Sequence, residues 1–232
     1  MNTKTAYQDG TYLSNNPAWH EPDSPWKARQ ISRMLRRNNI ALATMCEIGC
    51  GAGEILNRLV EEYPAVQFSG YEISPQAYEM CRKRERSNLH FFLRDLLEEK
   101  GSTFDVAAAI DVFEHVEDYF GFLRKFRTKG KYKIFHIPLD LSVQSVLRNS
   151  PILHSRQSVG HIHYFTKDTA LATLTDLKYE IVDFFYTNGS LELPNRGWKA
   201  NLFRLPRKFL FLIHNDIAVR LLGGSSLMVL AK

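Results

Sequence analysis

The chain has 232 residues, of which 44% are hydrophobic and 24% charged, and its formal net charge is +5. This size and apolar content suit one large α/β domain, and 13 Gly with 9 Pro exclude collagen-like or low-complexity material. The apolar runs fall far short of the roughly 20 residues that a membrane-spanning helix needs, and the polar segment Met1–Gly10 lacks the apolar core of a signal peptide. Three cysteines without a CxxC pair indicate reduced thiols, so we expect a cytoplasmic protein.

Short apolar segments alternate along the chain with amphipathic helical patterns. This alternation predicts a parallel sheet with helices on both faces, in a doubly wound, Rossmann-like α/β fold. Ligands of such sheets bind beyond the carboxyl ends of the strands. The predicted strands are Met45–Cys50, Gln67–Ile73, Leu89–Leu93, Phe104–Ile110, Tyr132–Ile137, Ile181–Tyr186 and Leu227–Ala231. The predicted helices begin at Ser24, near Ile55, at Pro75, near Tyr119, after a Thr166 cap and at Pro206, and the last one extends to Leu222.

Two segments stand apart from the regular alternation. We predict an N-terminal helical extension over residues 1–40. The remaining domain, residues 41–232, is predicted to carry a basic helical insertion at about 187–224. We expect both segments to cover the side of the sheet where a substrate binds.

The insertion is basic because no acid occurs between Glu192 and Asp216. Such a segment can bind an anionic lipid, a nucleic acid or a phosphorylated substrate. It can equally be a solvent-exposed surface whose long side chains cover apolar residues. The segment Pro206–Leu222 has an apolar face, which we expect to be buried against the sheet, a second subunit or a lipid-like acceptor. We favour a lid over the acceptor rather than a plain surface helix. The basic residues of this segment are Arg196, Lys199, Arg204, Arg207 and Lys208.

A glycine-rich loop, Glu47–Gly53, follows the first predicted strand and precedes its helix. Glycines permit a tight turn and let a ligand approach the backbone, and the helix N-terminus offers N–H groups to an anion. A dinucleotide-binding fingerprint needs a small residue where this chain has Glu54. The spacing therefore argues against a nicotinamide-dependent oxidoreductase, which is the first alternative function.

Glu47, Gly49, Gly51 and Gly53 form an ExGxGxG pattern, which resembles the first motif of class I S-adenosylmethionine-dependent methyltransferases. The resemblance implies a seven-stranded sheet with an antiparallel last strand, and S-adenosylmethionine as the cofactor. It also implies that an acid after the second strand binds the ribose hydroxyls and that residues after the third strand bind the adenine. The implied cofactor-binding residues are Glu47, Gly49, Cys50, Gly51, Gly53, Glu72, Ile73, Asp95, Leu96 and Asp111.

The segment Asp111–Val116 resembles the DxxEHV string of the ubiquinone-biosynthesis-like small-molecule methyltransferases. This resemblance implies methyl transfer to a small molecule, which we expect to occur at oxygen. The basic helix predicts an anionic or lipid-like acceptor and allows peripheral contact with a membrane. No NPPY or DPPY string follows the fourth strand, so we expect no nucleic-acid partner. The sequence determines neither the acceptor nor the oligomeric state, and a non-catalytic protein of the same fold is a further alternative.

Histidines are the candidates for a general base, because imidazole exchanges protons near neutral pH. His115 is the first candidate, since it follows the fourth strand at the carboxyl edge of the sheet, and His20, His161 and His163 are the others. His161 and His163 are two residues apart and would point to opposite faces of an extended segment. No acidic cluster in the sequence accompanies them, so we expect no metal site.

Overall fold

The computed structural model describes residues 16, 17, 19, 21–193 and 204–232, and for residues 204–207 it describes the backbone alone. The predictions for His20, Arg196 and Lys199 therefore lie outside the described residues, as do those for the side chains of Arg204 and Arg207.

Seven strands form a single sheet in the order β3-β2-β1-β4-β5-β7-β6. Strands β1 to β5 are parallel to one another, and β7 is antiparallel to both β5 and β6. The prediction of a mostly parallel sheet with an antiparallel last strand is confirmed. The strands are β1 Thr44–Ile48, β2 Gln67–Glu72, β3 Leu89–Leu93, β4 Phe104–Ile110, β5 Gly130–Pro138, β6 Ile181–Thr187 and β7 Ser226–Ala231.

Helices cover both faces of this sheet. Within the described residues, four short 3-10 turns connect the longer elements: Glu21–Asp23, Arg82–Arg84, Leu96–Glu98 and Phe113–His115. The α-helices of the described residues are α1 Ser24–Arg37, α2 Glu54–Glu62, α3 Pro75–Cys81, α4 Tyr119–Phe126, α5 Val143–Arg148, α6 Ser150–Ser158, α7 Lys167–Asp176, α8 Gly189–Glu192, α9 Arg204–Ile213 and α10 Asn215–Leu222.

Local sequence signals explain where the helices begin. Thr166 caps α7, as predicted, through a reciprocal pair of hydrogen bonds with Thr169. Asp118 caps α4 by accepting a hydrogen bond from the Gly121 amide, and Ser74 caps α3 just before Pro75. These caps satisfy amide groups that the first helical turn leaves without an intrahelical partner.

The core lies on both faces of β4. The side chains of Ala107, Ala108 and Ala109 are fully buried, and their small size lets helices approach the sheet closely. One face packs against α1 and α2, where Ile31 and Leu56 are also fully buried. The other face holds a cluster of aromatic rings, which includes Phe113, Phe126, Phe135 and Tyr179.

The prediction of one continuous helix over Pro206–Leu222 is wrong. The chain forms α9 and α10 instead, because His214 has an extended backbone, with φ −157° and ψ 96°, between them. The His214 imidazole accepts a hydrogen bond from the Ile217 amide and so caps α10. Phe209 and Leu212 of α9 are 67% and 76% exposed, so the apolar surface of α9 is only partly covered. No helix in the described part of the chain is long and apolar enough to cross a membrane.

Candidate cofactor and acceptor site

The glycine loop between β1 and α2 has three glycines with left-handed backbone, at φ +66° for Gly49, +55° for Gly51 and +77° for Gly53. A Cβ atom on Gly53 would lie 2.6 Å from the Phe91 ring and 2.7 Å from the Cys81 Cβ, so packing demands glycine there. A Cβ atom on Gly51 would meet nothing closer than the Trp19 ring at 3.7 Å. Gly53 therefore serves the fold, whereas Gly51 leaves open space beside the backbone.

Glu72 ends β2 and lies against this loop with only 4% of its surface exposed. Its carboxylate accepts hydrogen bonds from the amides of Gly51 at 2.9 Å, Ile73 at 2.8 Å and Ser74 at 2.8 Å. Burial raises the pKa of Glu72, and the three amide hydrogen bonds oppose that rise. A carboxylate offers about four acceptor positions, so Glu72 retains capacity for a hydroxyl donor of a ligand.

Asp95 and Leu96 occupy the turn after β3. The Asp95 carboxylate accepts a hydrogen bond from the Leu97 amide at 3.0 Å and so fixes the turn, while Leu96 is 1% exposed. Both residues line the same cavity as the glycine loop. The arrangement provides one polar and one apolar wall, which suits a flat aromatic ring that carries hydrogen-bond donors.

Asp111 directly follows β4 and is the centre of a network that the sequence did not reveal. Its carboxylate lies 2.5 Å from the Nδ1 atom of His136 and 2.7 Å from the Nζ atom of Lys27, which belongs to α1. Burial disfavours the charged form, yet His136 and Lys27 outweigh it and hold the pKa of Asp111 well below its usual range. Asp111 thereby ties the N-terminal helix to the carboxyl edge of the sheet.

Glu47 lies beside this network and is 1% exposed. Burial raises the pKa of Glu47 to about 8, although the charge of Lys27 opposes the shift. A protonated Glu47 can donate a hydrogen bond, which an ionised one cannot do.

These residues surround one cavity of about 1020 Å³, which extends from the glycine loop to the segment before α7. The cavity has room for a nucleoside-sized cofactor together with a second small molecule. The open space at Gly51 and the remaining acceptor capacity of Glu72 fit S-adenosylmethionine. The predicted residues that line the cavity are Glu47, Gly49, Cys50, Gly51, Gly53, Glu72, Ile73, Asp95, Leu96, Asp111, His115 and His161.

Two histidines line the same cavity as the glycine loop. The Nδ1 atom of His115 lies 3.1 Å from the Gly160 carbonyl oxygen, and the Nδ1 atom of His161 lies 2.6 Å from an Asp140 carboxylate oxygen. Since both partners can only accept, each Nδ1 carries the proton and each Nε2 is the basic nitrogen. The two rings meet edge to face, with centroids 4.9 Å apart.

The third candidate histidine within the described residues, His163, does not line this cavity. Its Nε2 atom donates to the Val116 carbonyl oxygen at 2.9 Å, and its ring packs on Tyr119. The segment is positioned because the amides of Ile162 and His163 both donate to the backbone carbonyl of Glu114. His163 is therefore part of the scaffold that holds His161.

The fold brings two acids close to His161 that no local pattern in the sequence placed there. Asp140 contacts it directly, and Glu114 lies beside His115 in the same corner of the cavity. Asp140 could have been found by the rule that located the other acids, because it follows β5 at the carboxyl edge of the sheet. Lys27 and His136 had no comparable signal, since one lies in the N-terminal helix and the other inside β5.

Residues 46–129 match the model of a family described as a methyltransferase domain. This match covers 84 of the 232 residues, and together with the strand order and the glycine loop at the end of β1 it supports a methyltransferase fold of the class I, S-adenosylmethionine-dependent type. None of the curated proteins compared with the chain is a significant match.

Solved structures share the fold at low sequence identity. The magnesium protoporphyrin IX methyltransferase of Synechocystis PCC 6803, solved with bound S-adenosylhomocysteine, has a TM-score of 0.67 at 14% identity, with 98% of each chain covered. The N-methyltransferase NodS of Bradyrhizobium japonicum WM9, also solved with S-adenosylhomocysteine, has a TM-score of 0.62 at 17% identity, covering 100% of this chain and 98% of NodS. The [4+2]-cyclase SpnF has a TM-score of 0.58 at 15% identity, covering 88% and 80%.

Proposed function

We propose that this protein transfers a methyl group from S-adenosylmethionine to an oxygen atom of a small molecule, as the resemblance to the ubiquinone-biosynthesis-like group implies. The single observation that carries the proposal is the cavity, whose lining includes the glycine loop and Glu72 together with His115 and His161. When bound, S-adenosylmethionine supplies an electrophilic sulfonium methyl group. The protein then has to position the acceptor and manage one proton.

The cofactor would be held by the residues around the glycine loop. The Glu72 carboxylate would accept hydrogen bonds from the ribose hydroxyls, and the backbone at Gly51 would lie against the amino-acid end. Asp95 and Leu96 would contact the adenine. These roles agree with the position of each residue on the cavity wall.

A histidine that lines the cavity would remove the proton of the acceptor hydroxyl. His161 has the better-defined geometry, because the Asp140 carboxylate 2.6 Å away holds the Nδ1 proton and stabilises the imidazolium that forms. His115, held by a neutral carbonyl, is the second candidate. His20 stays a prediction.

An acceptor with an apolar part is supported by the rim of the cavity. Ser142 and Ser145 of α5 line the cavity, and Gln144 of the same helix donates to the Leu222 carbonyl at the end of α10. Large apolar side chains around this junction are exposed: Val146 by 58%, Leu147 by 81%, Leu212 by 76% and Ile217 by 45%. Such a surface suits a lipid-like acceptor. An anionic acceptor and peripheral membrane contact stay predictions, since the basic side chains concerned lie mostly outside the described residues.

A panel of acceptors tests the proposal. Purified protein would be incubated with S-adenosylmethionine and phenols, catechols, carboxylic acids or amines, with and without alkyl chains. The measurements are S-adenosylhomocysteine formation and a product heavier by one methyl group. We expect turnover with a hydroxyl acceptor and loss of about 10²–10⁴-fold in His161→Gln or His115→Gln if either is the base, with cofactor affinity nearly unchanged. His90→Gln, which changes an exposed histidine of β3 that does not line the cavity, is the matched control. Turnover of amines alone would refute O-methylation.

A binding measurement separates the two alternative functions. S-adenosylhomocysteine should raise the melting temperature, whereas NADH and NADPH should not. A shift with the nicotinamide cofactors alone would favour an oxidoreductase. Binding of S-adenosylhomocysteine without turnover of any acceptor class would favour a non-catalytic or non-methylating role of the fold.

A further inference from the structure

Trp19 contributes an aromatic wall to the cavity beside the glycine loop. Its side chain lines the cavity together with the loop residues. A Cβ atom on Gly51 would lie 3.7 Å from the Cε3 atom of the indole ring, which is ordinary van der Waals distance. A ligand group that lies against the Gly51 backbone is therefore within reach of the ring.

Trp19 differs from the other large aromatic residues of the cavity wall. Within the described residues, these are Trp26, Tyr71 and Phe122, and all three are buried in the core. Trp26, for example, is held by a hydrogen bond of 2.7 Å from its indole N–H to the Glu192 carboxylate. Trp19 is only partly buried, so its ring has surface that a ligand in the cavity can contact.

The backbone at Trp19 is held in an uncommon conformation. Its φ is +44°, in the left-handed region that bulky residues rarely adopt. The Trp19 amide donates to the Asn16 carbonyl oxygen at 2.9 Å, and the Asn16 side chain donates to the Ser158 carbonyl oxygen at 3.1 Å. Such strain persists only where surrounding contacts maintain it, and it is concentrated at ligand-binding sites. The conformation therefore indicates a functional position for the indole ring.

Arg84 connects the region of Trp19 to the glycine loop. One nitrogen of its guanidinium group lies 2.6 Å from the carboxylate of Glu21, which is two residues after Trp19. A second nitrogen donates to the Ala52 carbonyl oxygen at 3.0 Å, and Ala52 directly follows Gly51 in the loop. Because one planar group binds both parts of the chain, it helps to fix the indole ring relative to the loop.

We propose that the indole ring of Trp19 contacts the sulfonium group of S-adenosylmethionine and makes the site favour this cofactor over S-adenosylhomocysteine. The Glu72 carboxylate accepts a hydrogen bond from the Gly51 amide at 2.9 Å, so a ribose bound to Glu72 lies beside Gly51. The sulfur atom is bonded to the 5′ carbon of that ribose and therefore lies close to the same loop. The face of an indole ring attracts a cation, and tryptophan does so more strongly than tyrosine or phenylalanine.

The inference deepens the proposed function and rests only on its cofactor. S-adenosylmethionine carries a positive charge on sulfur. When the methyl group leaves, the electron pair of the carbon–sulfur bond stays on sulfur, so S-adenosylhomocysteine has a neutral thioether and the attraction to the ring is lost. Such a site binds the methyl donor and releases the product more readily, whichever atom of the acceptor is methylated.

Calorimetry with three ligands tests the role of Trp19 without any turnover assay. The ligands are S-adenosylmethionine, S-adenosylhomocysteine and sinefungin, in which a carbon bearing a protonated amine replaces the sulfonium. Trp19→Leu keeps an apolar side chain but removes the ring. We expect it to lower the affinity for both charged ligands, relative to S-adenosylhomocysteine, by about 3–30-fold. Trp19→Phe should lie between this variant and the wild type. Trp26→Phe, which changes a buried tryptophan of the same cavity wall, should leave the affinity ratio unchanged.

The affinity ratio also shows what would contradict the proposal. An equal loss for all three ligands in Trp19→Leu would overturn it and leave the ring as an apolar contact, as would unchanged affinities. Retained S-adenosylhomocysteine binding shows that a variant is folded, and if Trp19→Leu does not fold, the ratio in Trp19→Phe decides. If the wild type bound none of the three ligands, the cofactor of the proposed function would fail as well, whereas an unchanged ratio in the variants removes Trp19 alone.

Discussion

The two ends of the cavity differ in how their polar groups are satisfied. At the cofactor end, the buried Glu72 carboxylate accepts three backbone hydrogen bonds, and the glycine loop is fixed by packing. At the acceptor end, the equally buried Glu114 has no hydrogen-bond partner for its side chain within the described residues. The difference indicates that backbone hydrogen bonds preorganise Glu72 as an ionised acceptor, whereas burial without such bonds raises the pKa of Glu114.

The largest expected effect distinguishes two glycines of the cofactor end. Gly53→Ala should lower the free energy of unfolding by about 2–5 kcal/mol, because the left-handed backbone and the contacts with Phe91 and Cys81 both oppose a Cβ atom. Gly51→Ala is the matched control, which has the backbone strain but no clash, and should lose only about 1–2 kcal/mol. Urea unfolding measures both values. Equal losses in the two variants would contradict the division between a packing glycine and a ligand-facing glycine.

The next effect concerns ligand affinity. Glu72→Ala should weaken S-adenosylhomocysteine binding by about 1–3 kcal/mol, because donors of the ligand and the Gly51 amide lose their acceptor. Glu72→Gln, which retains one acceptor oxygen, should have an intermediate affinity. Isothermal calorimetry measures both. Unchanged affinity in the alanine variant, with the fold intact, would remove Glu72 from the cofactor site.

The cofactor end could be predicted from sequence because its residues follow successive strands of one parallel sheet. Gly51, Glu72 and Asp95 each occur just after an apolar segment, and the carboxyl ends of parallel strands meet at one edge. The acceptor end depends on contacts that no local pattern encodes, such as the docking of the segment before α7 onto the turn at Glu114. The break at His214 was missed for a similar reason, since Pro206 and Gly223 mark the outer ends of both helices but not the junction between them.

A smaller effect is the dependence of stability on pH at Glu47. Its pKa is about 8 in the folded protein because of burial, and about 4.3 in an unfolded chain. The folded state therefore binds a proton that the unfolded state has released. The contribution of Glu47 to stability is full below about pH 4, falls as the pH rises, and levels off above about pH 8.

Glu47→Gln should remove this dependence and resemble the protonated side chain. We expect the variant to be more stable than the wild type by about 1–3 kcal/mol at pH 8.5 and by much less at pH 5. Unfolding curves at both pH values give the comparison. A constant difference between the two proteins across this range would show that Glu47 does not titrate there.

The smallest expected effect on stability is at the acceptor rim. Leu212 of α9 is 76% exposed, so Leu212→Ser should change the free energy of unfolding by less than about 0.5 kcal/mol. Phe211 of the same helix packs on the Tyr186 ring, and Phe211→Ser is the control that should destabilise the protein. If α9 covers an apolar acceptor, Leu212→Ser should raise the KM for an alkylated acceptor several-fold. The KM for a short-chain acceptor should stay unchanged, because only an alkyl chain would reach α9. Cofactor affinity should stay constant in both variants. If the wild type and Leu212→Ser had the same KM for the alkylated acceptor, α9 would instead be assigned to a surface that does not contact the substrate.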